Sequence, residues 1–194
     1  MPPAGICTDE DLFGYFEAVF TRIGDVPTVL QDFPFHSGVR MSVPAMGKLV
    51  EFFPQIKVIK EEDLPSVTKI TRLRDLGGRQ VRILTGNNGL YLPQEMARGA
   101  DGPMAGFSYP ERLSGVYDLM SEGKTADAHT LFNRYLPLLR YEAQGQWGIA
   151  IRKEMMRRRG ALACAAMRTP GPSLSETDIA EIDLLVESMG ITES

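Results

Sequence analysis

Lys60 closes the short apolar run Ile56-Lys57-Val58-Ile59-Lys60, and the acidic stretch Glu61-Glu62-Asp63 follows at once. On a strand, alternate side chains share a face, so Lys60 points with Val58 and Ile56. That face reads as buried. A lysine set among aliphatic side chains loses solvation of its charged form, and its pKa falls. The neutral amine is a nucleophile that can attack a ketone and form a Schiff base. The competing reading is a strand-end lysine whose stem packs while its ammonium reaches water.

Three other places gather polar groups and glycines at the ends of strand-like runs: Gln31-Asp32, Thr85-Gly86-Asn87-Asn88 and Met104-Ala105-Gly106. In parallel α/β folds, chemistry collects at the C-terminal ends of the strands. Gly86-Asn87-Asn88-Gly89 can bring backbone close to a small ligand, or form a plain turn. Gly102 and Gly106 either bracket a tight substrate wall or simply end a strand. Asp32 is a candidate base or, beside Pro34, a solvated turn carboxylate. His36 can bind a substrate carboxylate, or decorate a surface loop. His129 falls in a helical stretch without a partner motif, and no spacing suggests a zinc site.

The elements that must position these groups alternate through the first two-thirds of the chain. Thr8 with Asp11 resembles a capping box before a helix whose apolar residues are Leu12, Phe16, Val19, Phe20 and Ile23. Residues 27–31 read as a short buried strand. Ser42 caps a second helix, with Pro44 in its first turn. The Lys60 strand follows, then a helix over 64–76 with Gly77-Gly78 after it. Residues 81–85 are a third strand, 90–98 a short helix, 102–105 a weaker fourth strand and 111–122 a helix. Strand ends near Gln31, Lys60, Thr85 and Ala105 suit repeated βα units and parallel strands. An open doubly wound sheet and a (β/α) barrel both fit. The absence of a G-x-G-x-x-G or Walker A sequence weakens the nucleotide-binding sheet.

The last third reads as helical over 126–140, 147–159 and 176–189, with Ser175 and Asp178 as a second capping box. Arg152-Lys153 and Arg157-Arg158-Arg159 invite a nucleic-acid reading, but cations near a helix C-terminus are also what the helix dipole favours. Trp147, Ile149, Ile151, Met155 and Met156 are expected in a core or a subunit contact.

A net charge of −4 gives no reason to expect nucleic acid as partner. No apolar stretch is long enough to span a bilayer. Cys7 and Cys164 form no CxxC pair, so a reduced, cytoplasmic setting is the simplest inference.

The pattern Thr28-Val29-Leu30-Gln31-Asp32-Phe33-Pro34, Ser37-Gly38, Val58-Ile59-Lys60-Glu61, Leu84-Thr85-Gly86-Asn87-Asn88, Gly99-Ala100-Asp101-Gly102 and Arg168-Thr169-Pro170 resembles the dihydrodipicolinate synthase / N-acetylneuraminate lyase family in order and spacing. The resemblance runs over nearly the whole chain. It implies a class I aldolase-type lyase on a TIM barrel with extra C-terminal helices, needing no metal or organic cofactor. Lys60 matches the lysine that forms a Schiff base with pyruvate or another 2-keto acid. Gly86 and Met104 match positions lining the keto-acid pocket, with Asn87 and Ala105 beside them. Family members are commonly homotetramers, so a homo-oligomer is expected of the full-length enzyme.

The departures from the family shape the expected role. Gln31 stands where the family carries a tyrosine that relays protons, and glutamine cannot act as an acid near neutral pH. Pro3-Ala4 replaces a tyrosine that reaches across a dimer, and His36 replaces an arginine for a second substrate's carboxylate. These favour aldol cleavage or dehydration of a 2-keto-3-deoxy sugar acid over 4-hydroxy-tetrahydrodipicolinate synthase-type condensation of pyruvate. A complete (β/α)₈ barrel takes about 250 residues. The expectation here is therefore a partial TIM barrel, strands five to eight, over 1–124, with a helical region packed on it over 125–194. The chain reads as a fragment, the C-terminal part of the enzyme. A non-catalytic half-barrel that only associates with another chain is the expectation from another class.

Overall fold

Thr8 opens the first helix: its side-chain oxygen accepts a hydrogen bond from the Asp11 amide at 3.1 Å. The computed structural model describes residues 1–77 and 80–190. Helix α1, Asp9–Ile23, has three acidic residues in its first turn, where the helix dipole favours them, and buries Leu12, Phe16 and Phe20. The expected box at this end is half formed, since the Asp11 carboxylate accepts from the Thr8 hydroxyl at 2.8 Å. Strand β1, Thr28–Asp32, is followed by α2, Pro34–Ser37, and α3, Val43–Phe52. Ser42 caps α3 as expected, accepting from the Ala45 amide at 3.1 Å. Then come β2, Ile56–Glu61; α4, Ser66–Asp75; β3, Arg82–Thr85; a 3₁₀ turn, Asn87–Gly89; α5, Leu92–Ala97; and β4, Gly102–Pro103. Helices α6, Pro110–Ser121, α7, Thr125–Tyr141, α8, Gly145–Arg158, and α9, Glu176–Ser188, complete the described residues.

Local chemistry explains where these bounds depart from expectation. The helix expected from residue 64 begins at Ser66, because Pro65 stands in extended backbone as its N-cap and proline disfavours helical backbone in the residue before it. Gly78, expected to help stop that helix, lies outside the described residues. The fourth strand is only two residues long; Pro103 has no N–H to extend the ladder, and the next amide, Met104, donates to Thr85 at 2.7 Å. The sequence reading missed α2, whose signal is Pro34 in the first turn with left-handed Gly38 at its end.

The chain divides into two compact units: Met1–Gly86 with Gln94–Met104, and Asn87–Pro93 with Ala105–Ser194. The first holds a four-stranded sheet in the order β1-β2-β3-β4, every pair parallel. Parallel neighbours need crossovers, and the helices between successive strands supply them. Gln31, Lys60 and Leu84 form one register row, and Asp32, Glu61 and Thr85 the next. The two rows point to opposite faces. Leu30, Asp32, Ile59, Glu61, Ile83 and Thr85 are all buried. Leu12, Phe16, Met46 and Leu49 pack with Leu30 and Ile59, and Ile70 packs with Ile83.

The other face is open by comparison, which corrects the expectation that Lys60 sits on a buried aliphatic face. Val29 is 39% exposed, Arg82 is exposed, and Gln31, Val58, Lys60 and Leu84 are half-buried. The core helices cover the face of Ile59 and Glu61 instead. Of the expected aliphatic neighbours, only Ile56 is fully buried.

The second unit is helical apart from its loops. Glu142 is buried and accepts from the Ser108 amide at 3.1 Å and from Arg152 at 2.9 Å. Arg159 lies over the Tyr109 ring at 4.1 Å. Ser175 and Asp178 form the expected capping box in full. The basic run is engaged within the fold: Arg157 and Arg158 bind Glu154, Arg158 also binds Asp183 at 2.6 Å, and Arg159 binds Glu111 at 2.8 Å. Ile151 and Met155 are buried as expected, whereas Ile149 is 40% exposed.

Candidate active site

Lys60 is the penultimate residue of β2, and its side chain keeps 20% of its surface exposed. Its Nζ lies 3.2 Å from Oε2 of Glu62. The same carboxylate oxygen accepts from the Gln31 side-chain amide at 2.5 Å. Gly86 follows β3, and its amide donates to the Glu61 carbonyl at 3.2 Å. A Cβ at Gly86 would run into the Glu62 carboxylate, so this position stays bare to leave room for that side chain. Met104 stands one residue past β4, its side chain partly exposed. The first unit thus brings Lys60, Gln31, Gly86 and Met104 to the C-terminal ends of successive strands. It adds Glu62, which sequence reasoning did not single out. The signal was available: the period of two that pairs Lys60 with Val58 also pairs it with Glu62.

The remaining expected site residues are placed differently. His36 is exposed on α2, its ring stacked on Phe33 with centroids 6.0 Å apart. Asn87 and Ala105 belong to the second unit. Asn87 and Asn88 both have positive φ, 47° and 56°, which Asn tolerates better than most residues. Asn88 donates to the Glu142 carbonyl at 3.3 Å, so the turn is tied into its own unit.

A second set of ionisable groups occupies the buried face of the same strands. Asp32 is fully buried rather than a solvated turn carboxylate, and it hydrogen-bonds Lys69. Lys69 also reaches Asp63 at 3.1 Å, and Glu61 accepts from the Asp63 amide at 2.8 Å. Burial pushes the Glu61 carboxyl up to about 9, with the Asp32 charge adding to the effect. Burial also raises Asp32 against the opposing pull of Lys69. Burial alone would lower Lys69, but the Glu61 and Asp32 charges outweigh it and leave the ammonium raised. Glu95 is raised by burial as well, although Ser66 donates to it at 2.5 Å. This set braces the strand ends from behind. Among the described residues, no group of three or more His, Cys, Asp or Glu side chains could hold a metal ion.

A parallel α/β sheet with an accessible strand-end lysine beside a carboxylate defines a class of site suited to imine chemistry. Residues 6–189 match the model of the dihydrodipicolinate synthetase family. L-2-keto-3-deoxyarabonate dehydratase of Azospirillum brasilense is 28% identical over 187 residues, covering 94% of this chain and 60% of that protein. 4-Hydroxy-tetrahydrodipicolinate synthase of Sulfurihydrogenibium sp. is 30% identical over 135 residues, covering 69% of this chain and 45% of that one. The crystal structure of dihydrodipicolinate synthase from Rhodopseudomonas palustris superposes with a TM-score of 0.92 at 41% identity, covering 96% of this chain and 64% of that chain. The chain belongs to the dihydrodipicolinate synthetase family. It spans about three-fifths of the length of the dehydratase, 60%. These matches do not bear out the narrower expectation that the resemblance is to the C-terminal part alone.

Proposed function

We propose that this chain carries the Schiff-base site of a lyase acting on a 2-keto acid, with Lys60 as the nucleophile. The observation that carries the reading is the placement of Lys60: at the C-terminal end of a parallel strand, partly exposed, with its amine 3.2 Å from Glu62. The sheet is read as part of the wall of a (β/α)₈ barrel, followed by helices. Gly86 and Met104 line the keto-acid side of the site, and Gln31 orients Glu62. The substrate is a 2-keto-3-deoxy sugar acid that undergoes dehydration or aldol cleavage; the likeness to the Azospirillum dehydratase supports this choice. The enzyme is read as a homo-oligomer.

The second reading is condensation of pyruvate, and the 41% identity with the Rhodopseudomonas synthase favours it. Incubation with pyruvate and borohydride, followed by peptide mass spectrometry, tests the shared step. The expected result is a reduced adduct on Lys60; an unmodified Lys60 in folded protein removes both readings. Turnover of a 2-keto-3-deoxy sugar acid without an aldehyde partner then separates dehydratase from synthase.

A further inference from the structure

Imine chemistry at Lys60 needs a proton carrier, and Gln31 cannot be one because an amide has no useful acid form near neutral pH. A titratable group, Glu62, lies 3.2 Å from the amine, within the reach required of a general acid–base. Two features hold it there. The Gln31 amide donates to the same oxygen at 2.5 Å, and the missing side chain at Gly86 leaves the space the carboxylate occupies. Glu62 is 8% exposed, so it works largely out of bulk water.

We infer that Glu62 is the catalytic acid–base of the Lys60 site and Gln31 its positioning residue, an inference that rests on the Schiff-base reading. Glu62 takes one proton from the Lys60 ammonium. The freed nitrogen pair forms the N–C2 bond as the C2=O π electrons move to oxygen, and a nitrogen proton passes to that oxygen. Glu62 returns its proton to the hydroxyl, the C–O bond breaks and water leaves, giving the iminium. The Glu62 carboxylate then removes a proton from C3, and the C–H electrons form the enamine C2=C3 bond while the C2=N π pair returns to nitrogen. Each step conserves charge and calls on no further reagent.

The experiment follows wild type, Glu62→Gln, Glu62→Asp and Gln31→Ala with pyruvate in D₂O. It measures two quantities: borohydride-trapped adduct on Lys60, and deuterium entering C3 of pyruvate by NMR. Circular dichroism checks the fold of each variant. Glu62→Gln is expected to lower C3 exchange per trapped adduct by about 10²–10⁴-fold. Glu62→Asp should restore part of it. Gln31→Ala should show a smaller loss in the same ratio, which a purely structural role would leave unmoved. Wild-type exchange per adduct in Glu62→Gln overturns the inference while leaving Lys60 as nucleophile. No adduct on wild-type Lys60 overturns the Schiff-base reading itself. If Glu62→Gln does not fold, Glu62→Asp decides: exchange per adduct equal to wild type, despite the shorter reach, also overturns it.

Discussion

Lys60 and Glu61 are chain neighbours, yet they live on opposite faces of β2 and in different chemistry. The Lys60 face carries Gln31 and Glu62 and stays partly open. The Glu61 face carries Asp32, Thr85 and, from α4, Lys69, all of them buried. Both faces hold a lysine in an ion pair, Lys60 with Glu62 and Lys69 with Asp32 and Asp63. On the buried face, water is excluded and the groups answer to one another: Glu61 is pushed up to about 9, and Lys69 sits between Asp32 and Asp63. On the open face, a lysine and one carboxylate are presented at the strand ends, where a small molecule could enter. A one-residue slip of β2 would turn Lys60 toward the buried face and Glu61 toward the open one, so the parity of the strand decides which of the two is presented at the strand ends.

The largest test separates the lysines. Lys60→Ala should abolish the pyruvate–borohydride adduct while leaving the denaturation midpoint within the range of a surface change, about 0.5 kcal/mol. Lys69→Met should behave in the opposite sense. It strands the buried Asp32 without its cation and leaves Asp63 only the exposed Arg40, so urea unfolding should show a loss of about 3–5 kcal/mol. A variant pair with the effects reversed would break the assignment of faces. The next effect in size comes from Gly86→Ala. Its Cβ must displace the Glu62 carboxylate, which predicts a destabilisation of about 1–3 kcal/mol together with slower adduct formation. Unchanged adduct kinetics in that variant would show that the position of Glu62 does not matter to Lys60.

Much of this arrangement could be read from the chain. Apolar alternation located β2, and the strand-end rule gathered Gln31, Lys60, Gly86 and Met104, four residues that the structure does bring to adjacent strand ends. The helical last third was legible from its periodicity and from the Ser175 box. Which side of the sheet is covered was not legible, because Ile56, Val58 and Ile59 are all aliphatic and both parities read as greasy. The cover is decided by tertiary packing: Phe16 of α1 and Leu49 of α3 pack with Ile59, and Ile70 of α4 packs with Ile83. Asp32 was misjudged for the same reason. Beside Pro34 it looks like a turn residue, and only its partner Lys69, 37 residues away, makes it a buried one. Glu62 was hidden in an acidic triplet whose three members turn out to do three different things.

Titration sharpens the comparison with gentler effects, beginning with Glu61. Its folded pKa is raised above the ordinary 4.5 to about 9, so its contribution to stability is fully present below 4.5 and is lost as pH rises through 9. Asp32 and Glu95 are shifted in the same direction. Wild type should therefore lose stability as pH rises above 4.5. Glu61→Gln should flatten that slope by up to about 1.4 kcal/mol per pH unit. Equal slopes in the two proteins, measured by urea unfolding at several pH values, would mean that Glu61 is charged in the fold.

Glu154 on α8 is the reverse case and the smallest effect. Hydrogen bonds from Arg157 and Arg158, with their charges, outweigh burial and hold its carboxyl down at about 2. Its contribution is present above 4.5 and is lost as pH falls toward 2, the opposite sign to Glu61. Arg157 is well exposed, so solvent screening limits the gain to about 0.5–1 kcal/mol. Glu154→Gln should remove that much at pH 7 and nothing at pH 2. A loss that persists at pH 2 would show that packing, rather than charge, is what Glu154 contributes. Burial therefore does not by itself fix the sign of a carboxylate's pH dependence. Glu61 and Glu154 both expose little surface; at Glu61 burial leads and the Asp32 charge adds to it, whereas at Glu154 the hydrogen bonds from Arg157 and Arg158 outweigh it.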